Sequence, residues 1–312
     1  MKNKEKNFVS AVVYVHNDEL YIGNFLDKLI PFFEENFEHS EIICVNDASG
    51  DNSIQIAKAK NDIVETTSLT IVNMSYFHGL ELSMNAGMEF AIGDYIFEFD
   101  DCMIDYDIDT VMQVYKRCLE GYDMVGAVPN KPEKITSKLF YWVVRKCSNI
   151  EDVMNTECFR ILSRRIINRA SSMNKTVPYR KLIYANSGLK SDKIYYSVKD
   201  KSTYKKDKTE QKYRVRLAID SLILFTDVGY RLSLTMTLLM MLVSAFMVIY
   251  SVVVFIMAQP VEGWTTTILF LAVAFFGLFA VISIVIKYLQ LLLSLIFKRK
   301  QYCFESVEKL SK

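Results

Sequence analysis

Between Phe8 and Phe99 short apolar runs alternate with segments whose apolar residues recur every three or four positions. Phe8–Val15 (FVSAVVYV) is rich in β-branched residues. In the stretch after it Tyr21, Ile22, Phe25, Leu29 and Phe32 keep a helical spacing. Glu41–Val45 (EIICV) predicts a second strand and Ser53–Lys60 a helix. Leu69–Met74 predicts a third strand, His78–Ile92 a helix and Tyr95–Phe99 a fourth strand. Strands alternating with helices predict a parallel, twisted α/β sheet, in which ligands gather at the carboxyl ends of the strands. Past Gly126 the pattern loosens. Lys131–Lys138 is basic, Leu139–Arg145 is apolar and aromatic, Phe159–Ile167 alternates Arg with aliphatics, and Ile194–Lys208 is a strand followed by lysines.

The pattern changes again near the end. Residues 232–258 and 265–286 contain no charged side chain, and each exceeds the roughly 20 apolar residues that cross a hydrocarbon core as a helix. Two transmembrane helices are expected. Lys212, Arg214, Arg216 and Arg231 precede the first span and Lys298, Arg299 and Lys300 follow the second, whereas the connector between them carries only Glu262. The positive-inside rule then puts both ends in the cytoplasm with a short outer loop. The expected organisation is a cytoplasmic domain over 1–210, an interfacial amphipathic helix over 211–231, a transmembrane hairpin within 232–297 and a basic cytoplasmic tail over 298–312.

Composition adds little against this pattern. With 37 Lys and Arg against 36 Asp and Glu the formal charge is +1, so no bulk attraction to nucleic acid is implied. The N-terminal apolar run is too short for a secretory signal. Six cysteines without a CxxC pair fit reduced cytosolic thiols and neither a disulfide frame nor a zinc site.

Three strand ends carry acids: HNDE at His16–Glu19, NDASGD at Asn46–Asp51, and DDCMID at Asp100–Asp105. Carboxylates at a strand end are the usual protein share of a Mg²⁺ shell, one or two of them beside phosphate and water. Because strand side chains alternate, Glu98, Asp100 and Cys102 are expected on one face and Asp101 on the other.

Val12–Glu19, then EIICVNDASGDNS, then NAGMEFAIGDYIFEFDD resemble the family-2 glycosyltransferases, whose patterns are VxPVYNEE, EIIxVDDGSxDxS and GxxxAxGDYxxxxDAD. SKLFYWVVR, CFRILSRR and the terminal spans are similar to the polyprenyl-phosphate branch of that family, which includes dolichyl-phosphate mannose synthase. The resemblance implies an α/β GT-A (Rossmann-like) nucleotide-sugar-binding domain followed by interfacial helices and a two-helix transmembrane hairpin. It implies a membrane-anchored, inverting enzyme that holds a nucleotide-diphosphate sugar with Mg²⁺ or Mn²⁺ and moves the sugar to a polyprenyl phosphate at the lipid bilayer. Association into a homo-oligomer through the membrane helices is a further family property.

Carried over position by position, the resemblance puts Val15, His16, Asp18, Asp47, Asp51 and Asp100 at the nucleotide sugar and Asp100 and Asp101 at the catalytic and metal position. It puts Lys131, Lys134, Ser137, Arg160 and Arg164 at the acceptor phosphate, with Arg165 beside them. Cys102 departs from the pattern, standing where the second acid of DxD belongs, and Cys is a soft ligand poorly suited to Mg²⁺. Two arrangements remain open: Asp101 swings in beside Asp100 at the strand end, or an ion is held mainly by the diphosphate and Asp100. The same motifs also fit direct transfer to a membrane-linked glycan, or a catalytically silent scaffold.

Overall fold

The computed structural model describes residues 4–131, 157–173, 179–185, 187–198 and 304–310, with isolated helical positions between 142 and 292. The chain divides into two compact units, one made of Met1–Arg145, Ile150–Ala218 and Arg299–Lys312, the other of Lys146–Asn149 and Ile219–Lys298.

The first unit is built on one eight-stranded sheet. Its strands are β1 (Val9–Val15), β2 (Ser40–Asn46), β3 (Ser68–Met74), β4 (Tyr95–Phe99), β5 (Met124–Pro129), β6 (Phe159–Ser163), β7 (Ser191–Tyr196) and β8 (Phe304–Lys309). They lie in the order β7-β5-β6-β4-β1-β2-β3-β8. β1 pairs in parallel with β2 and β4, β2 with β3, and β5 with β7, while β6 runs antiparallel between β4 and β5. Six strands therefore point their carboxyl ends at one edge. Every residue of β1 is buried, as expected of a central strand covered on both faces.

The helices are α1 (Ile22–Asn36), α2 (Ser53–Ala59), α3 (Leu80–Phe90), α4 (Asp109–Leu119), α5 (Arg164–Met173) and α6 (Arg180–Ala185). Val9, Ala11, Val13 and Val15 of β1 pack in one apolar cluster with Phe25, Leu29 and Phe33 of α1 and Val111, Val114 and Tyr115 of α4. Fully burying each such side chain contributes about 1.5–3 kcal/mol. On the opposite face α3 lies so close that a Cβ at Gly87 would come within 2.4 Å of Val45 and 2.6 Å of Val12.

The four strands expected between Phe8 and Phe99 form with shifts of one residue or none, and the strand expected from Ile194 begins three residues earlier, at Ser191. The C-terminal tail differs from expectation: Phe304–Lys309 forms β8, antiparallel to β3, at the edge of the sheet. Asn73 Nδ2 donates to Ser306 Oγ at 2.9 Å, Lys58 Nζ meets Glu308 at 2.6 Å, and Leu310 N–H donates to Leu69 O at 2.8 Å.

In the second unit the described residues are helical, and Gly277 lies against Met240, whose Cε is 2.5 Å from the position a Cβ would take. Among the described residues no helix is long and apolar enough to cross a membrane. The expected spans 232–258 and 265–286, and the interfacial segment 211–231, lie largely outside the described residues.

Candidate active site

The loops that leave β1 and β2 are laced together at the carboxyl edge. Asn17 adopts φ 55, a left-handed conformation that Asn tolerates, and Ala48 adopts φ 51, which costs a residue with a Cβ about 1–2 kcal/mol. Asn17 Oδ1 accepts the Gly50 N–H at 2.9 Å, and Asn17 N–H donates to Ser49 Oγ at 3.2 Å. Asp18 is buried, accepts the His16 N–H at 3.1 Å and donates its own N–H to Ser53 Oγ at 2.8 Å. Asp51 accepts the N–H groups of Glu19 and Ser53, both at 3.0 Å. Burial raises the Asp51 carboxyl, but the Ser53 hydroxyl and these amides outweigh it and hold the group below its ordinary value.

Asp47, at the end of β2, is fully buried. Its carboxylate accepts the Tyr14 hydroxyl at 2.9 Å and the N–H groups of His78 and Gly79 at 2.7 Å each, so it ties β2 to the start of α3. His16 Nδ1 lies 2.7 Å from the Asp47 carbonyl, an acceptor that makes Nδ1 the protonated nitrogen. The His16 ring tilts over Phe77 at 4.7 Å, and Phe77 meets Tyr213 edge-on at 6.0 Å. The ends of β1 and β3 thus carry a strip of rings.

Beside this strip, on the α3 face, sits a buried cluster of charge. Arg160 of β6 has no exposed side-chain surface and donates from Nη2 to Asp100 Oδ2 at 2.6 Å, from Nε to Glu157 at 3.0 Å, and from Nη1 to Glu98. Arg180, at the start of α6, donates from Nη2 to Asp100 Oδ1 at 3.2 Å, from Nη1 to Glu98 at 3.1 Å and from Nε to Glu81 of α3 at 2.9 Å. The Tyr184 hydroxyl completes Glu98 at 2.9 Å. Burial raises the Asp100 carboxyl, but Arg160, Lys181 and Arg180 prevail and hold it far below the usual carboxylate range. Burial likewise opposes ionisation of Arg160, and Asp100, Glu98 and Glu157 keep it charged.

Several residues sit elsewhere than the sequence suggests. Arg160, expected at an acceptor phosphate, turns its guanidinium onto three carboxylates inside the protein. Arg164, expected beside it, lies past the other end of β6, because β6 runs antiparallel to β4: its guanidinium holds the backbone carbonyls of Ala91 and Gly93, before β4 begins. Arg165 follows it there and pairs with Asp123. Lys131 does reach the carboxyl edge, 3.1 Å from Asp105, whose other oxygen accepts the Tyr196 hydroxyl at 2.7 Å. Lys134 and Ser137 lie outside the described residues.

Cys102 overturns the expected alternation. It packs with Phe97 and Phe99 in the apolar cluster, opposite Glu98 and Asp100, with its thiol 3.4 Å from the Tyr14 carbonyl. The cause is local: β4 ends at Phe99 and the chain bends through Asp100 and Asp101, so the two-residue period stops. Burial, with Asp18 nearby, pushes the thiol well above its ordinary value. Asp101 stands on the bend and accepts the Met103 N–H at 3.2 Å.

These residues do not fit the cation that the family resemblance implies. The Cys102 thiol is buried and neutral, and both oxygens of Asp100 are occupied by guanidinium groups. Among the described residues no group of three or more His, Cys, Asp or Glu side chains could hold a metal ion.

Glu81, Arg180 and Tyr184 escaped the sequence reading. Arg180 and Asp100 are 80 residues apart and share no motif, so only the folded chain joins them.

Comparison with known proteins agrees with this layout. A family model described as Glycosyl transferase family 2 matches residues 10–141, which hold β1 to β5 and all three acid-bearing loops. The uncharacterized glycosyltransferase YkcC of Bacillus subtilis is 25% identical over 230 residues, 72% of this chain and 70% of that protein. A prophage bactoprenol glucosyl transferase homolog of Escherichia coli is 28% identical over 196 residues, so the match spans 60% of this chain and 62% of that protein. Among solved structures, glucosyl-3-phosphoglycerate synthase from Mycobacterium tuberculosis, crystallised with Mn²⁺, UDP-glucose and phosphoglyceric acid, superposes with a TM-score of 0.51 at 13% identity, over 70% of this chain and 79% of that one. At that identity the likeness is one of fold, the GT-A arrangement with a mixed sheet. Residues 10–141, with their parallel strands and acid-bearing edge, are thus the part of the chain that is similar to the family-2 glycosyltransferases.

Proposed function

We propose that this chain is a membrane-anchored glycosyltransferase that moves a sugar from a nucleotide-diphosphate donor to a polyprenyl phosphate, with inversion at the anomeric carbon. The observation that carries this reading is the convergence of Val15–Asp18, Asp47–Asp51 and Asp100–Asp101 at one edge of the sheet, inside the segment that matches family 2. The acceptor class comes from the relative named as a bactoprenol glucosyl transferase homolog.

In this reading the nucleotide lies across the ends of β1 and β2. His16, with Phe77 beneath it, offers a ring face to the base, and Asp18 and Asp51 shape the loops that border the ribose. Asp47 serves the same pocket indirectly, by fixing β2 to the amides that open α3. The sugar lies toward Asp100 and Asp101. One oxygen of the acceptor phosphate forms the new bond to the anomeric carbon while the bond from that carbon to the donor diphosphate breaks, and the diphosphate leaves with the electron pair. A phosphate monoester has a second pKa near 6 and is mostly dianionic at neutral pH, so no general base has to deprotonate it. Lys131 stands at the edge where this phosphate would dock, with Lys134 and Ser137 following in sequence.

The charge-free segments 232–258 and 265–286 anchor the enzyme as a hairpin, and the basic residues that flank them favour the cytoplasmic face. Anchoring confines enzyme and lipid acceptor to one surface and raises their effective concentration. The test is transfer of label from a panel of UDP- and GDP-sugars to polyprenyl phosphate in detergent, with Mg²⁺ or Mn²⁺ present. A lipid-extractable product establishes the reading and names the donor. Nucleotide binding without a lipid product would redirect the search to a glycan acceptor, and no binding at all would leave a scaffold.

A further inference from the structure

We propose that sugar transfer by this chain does not depend on a divalent cation. The inference rests on the function proposed above and concerns how the same site manages the charge of the leaving diphosphate.

Three observations carry it. The second acid of the expected pair is Cys102, which is only 2% exposed and packs in the apolar cluster with its thiol on the Tyr14 carbonyl. A buried neutral thiol is a poor ligand for Mg²⁺ on both softness and protonation. Asp100 has each oxygen on a different guanidinium, Arg160 at 2.6 Å and Arg180 at 3.2 Å. Those guanidinium groups are themselves held by Glu98, Glu157 and Glu81, so releasing Asp100 to a metal would break a network of four carboxylates and two arginines. A divalent ion brought to Asp100 would have to displace one of these guanidinium groups from the oxygen it holds.

The arginines stand where a cation would otherwise compensate the Asp100 carboxylate. They differ from an ion in being part of the chain, present before any donor arrives. In the transfer step the bond from the anomeric carbon to the donor diphosphate breaks, the bond to the acceptor phosphate oxygen forms, and the nucleoside diphosphate departs with one more negative charge. Side-chain cations meet that charge. Among the described residues, Lys131, whose side chain is 43% exposed at the edge, and Lys181, 12% exposed and 3.9 Å from Glu157, lie nearby.

The experiment uses the full chain in detergent, stripped of metal. Transfer is measured in EDTA and after addition of Mg²⁺ or Mn²⁺, and affinity for UDP and for GDP is measured under the same conditions. The expected result is a transfer rate that changes less than about threefold, with nucleotide Kd values that agree within about threefold. A loss of about tenfold or more in EDTA that either cation restores overturns the inference and leaves the proposed function standing. Nucleotide binding that tightens about tenfold or more with Mn²⁺ overturns it in the same way, even with no acceptor identified. If no donor yields product while UDP or GDP binds equally with and without cation, the proposed acceptor fails and the inference holds. No binding of either nucleotide under any condition overturns both.

Discussion

Tyr106 lies between Phe159, at 4.7 Å, and Tyr196, at 5.6 Å, and its buried hydroxyl has no hydrogen-bond partner among the described residues. Leaving such a group unsatisfied costs about 1–3 kcal/mol. Tyr106→Phe should therefore stabilise the protein by about 1 kcal/mol, read as a higher midpoint in thermal unfolding. Activity in that variant tells whether the hydroxyl also serves a ligand: unchanged transfer assigns it to packing alone. Gly79 separates two costs that a single glycine combines. It has φ 84, and a Cβ there would come within 2.3 Å of the Tyr213 ring, whereas Gly121 has φ 101 with nothing within 4 Å among the described residues. Gly121→Ala should cost about 1–2 kcal/mol from the backbone alone. Gly79→Ala should cost at least about 1–3 kcal/mol more, because the ring must move, and equal losses in the two variants would show that Tyr213 yields freely.

Among the elements, β4 and β6 carry much of the buried charge cluster, and their legibility differed. The apolar runs of β1 to β4 are visible because a covered central strand needs an unbroken series of side chains that pack, as VSAVVYV provides. What the run cannot reveal is where the two-residue period stops, and Cys102 lies three residues beyond that point. Arg160 was legible as a residue of consequence but not in its role, since an arginine in sequence carries no sign of which acids fold against it. Arg180 and Glu81 were silent because their pairing depends on the docking of α6 against α3. Arg160→Leu should leave Glu98, Asp100 and Glu157 without their shared partner and cost about 3–5 kcal/mol, seen as a large drop in thermal midpoint. The cluster also sets a pH dependence. Asp100 titrates lower in the folded protein than the roughly 3.9 of an unfolded Asp, so its contribution is full above about pH 4–5 and is lost as the pH falls toward the folded value. Thermal midpoints measured from pH 7 to pH 3 should decline at the acid end, and the decline should be shallower in Arg160→Leu, which already lacks the pairing.

At the scale of the whole molecule, the organisation read from the sequence separates a catalytic domain from a charge-free hairpin and a tail. The sheet takes part of that tail back. Composition could not announce β8, because FESVEK alternates weakly and its side chains stay largely exposed; its place is set by the open edge of β3. Removing residues 304–312 should lower the thermal midpoint clearly and promote association through the bared β3 edge, which light scattering in detergent would detect. Glu308→Ala removes a pair whose side chains are 41% and 37% exposed and a 3.3 Å hydrogen bond from Asn73 Nδ2, and should cost less than about 1 kcal/mol. A truncated chain as stable and monodisperse as the intact one would show that β8 is dispensable.

The place of β8 also orders events in the making of the protein. Ser306 bonds Asn73 across 233 residues of chain, so the last strand of the sheet is the last to be synthesised. At roughly 5–20 residues per second the ribosome needs about 10–50 seconds to pass from β3 to β8. Through that interval the other strands can assemble while one border of the nascent sheet stays unpaired, and the intervening residues must be made before it closes. Closure of this sheet therefore waits on a single late stitch, and the half-finished domain is the form most exposed to chaperones and proteases.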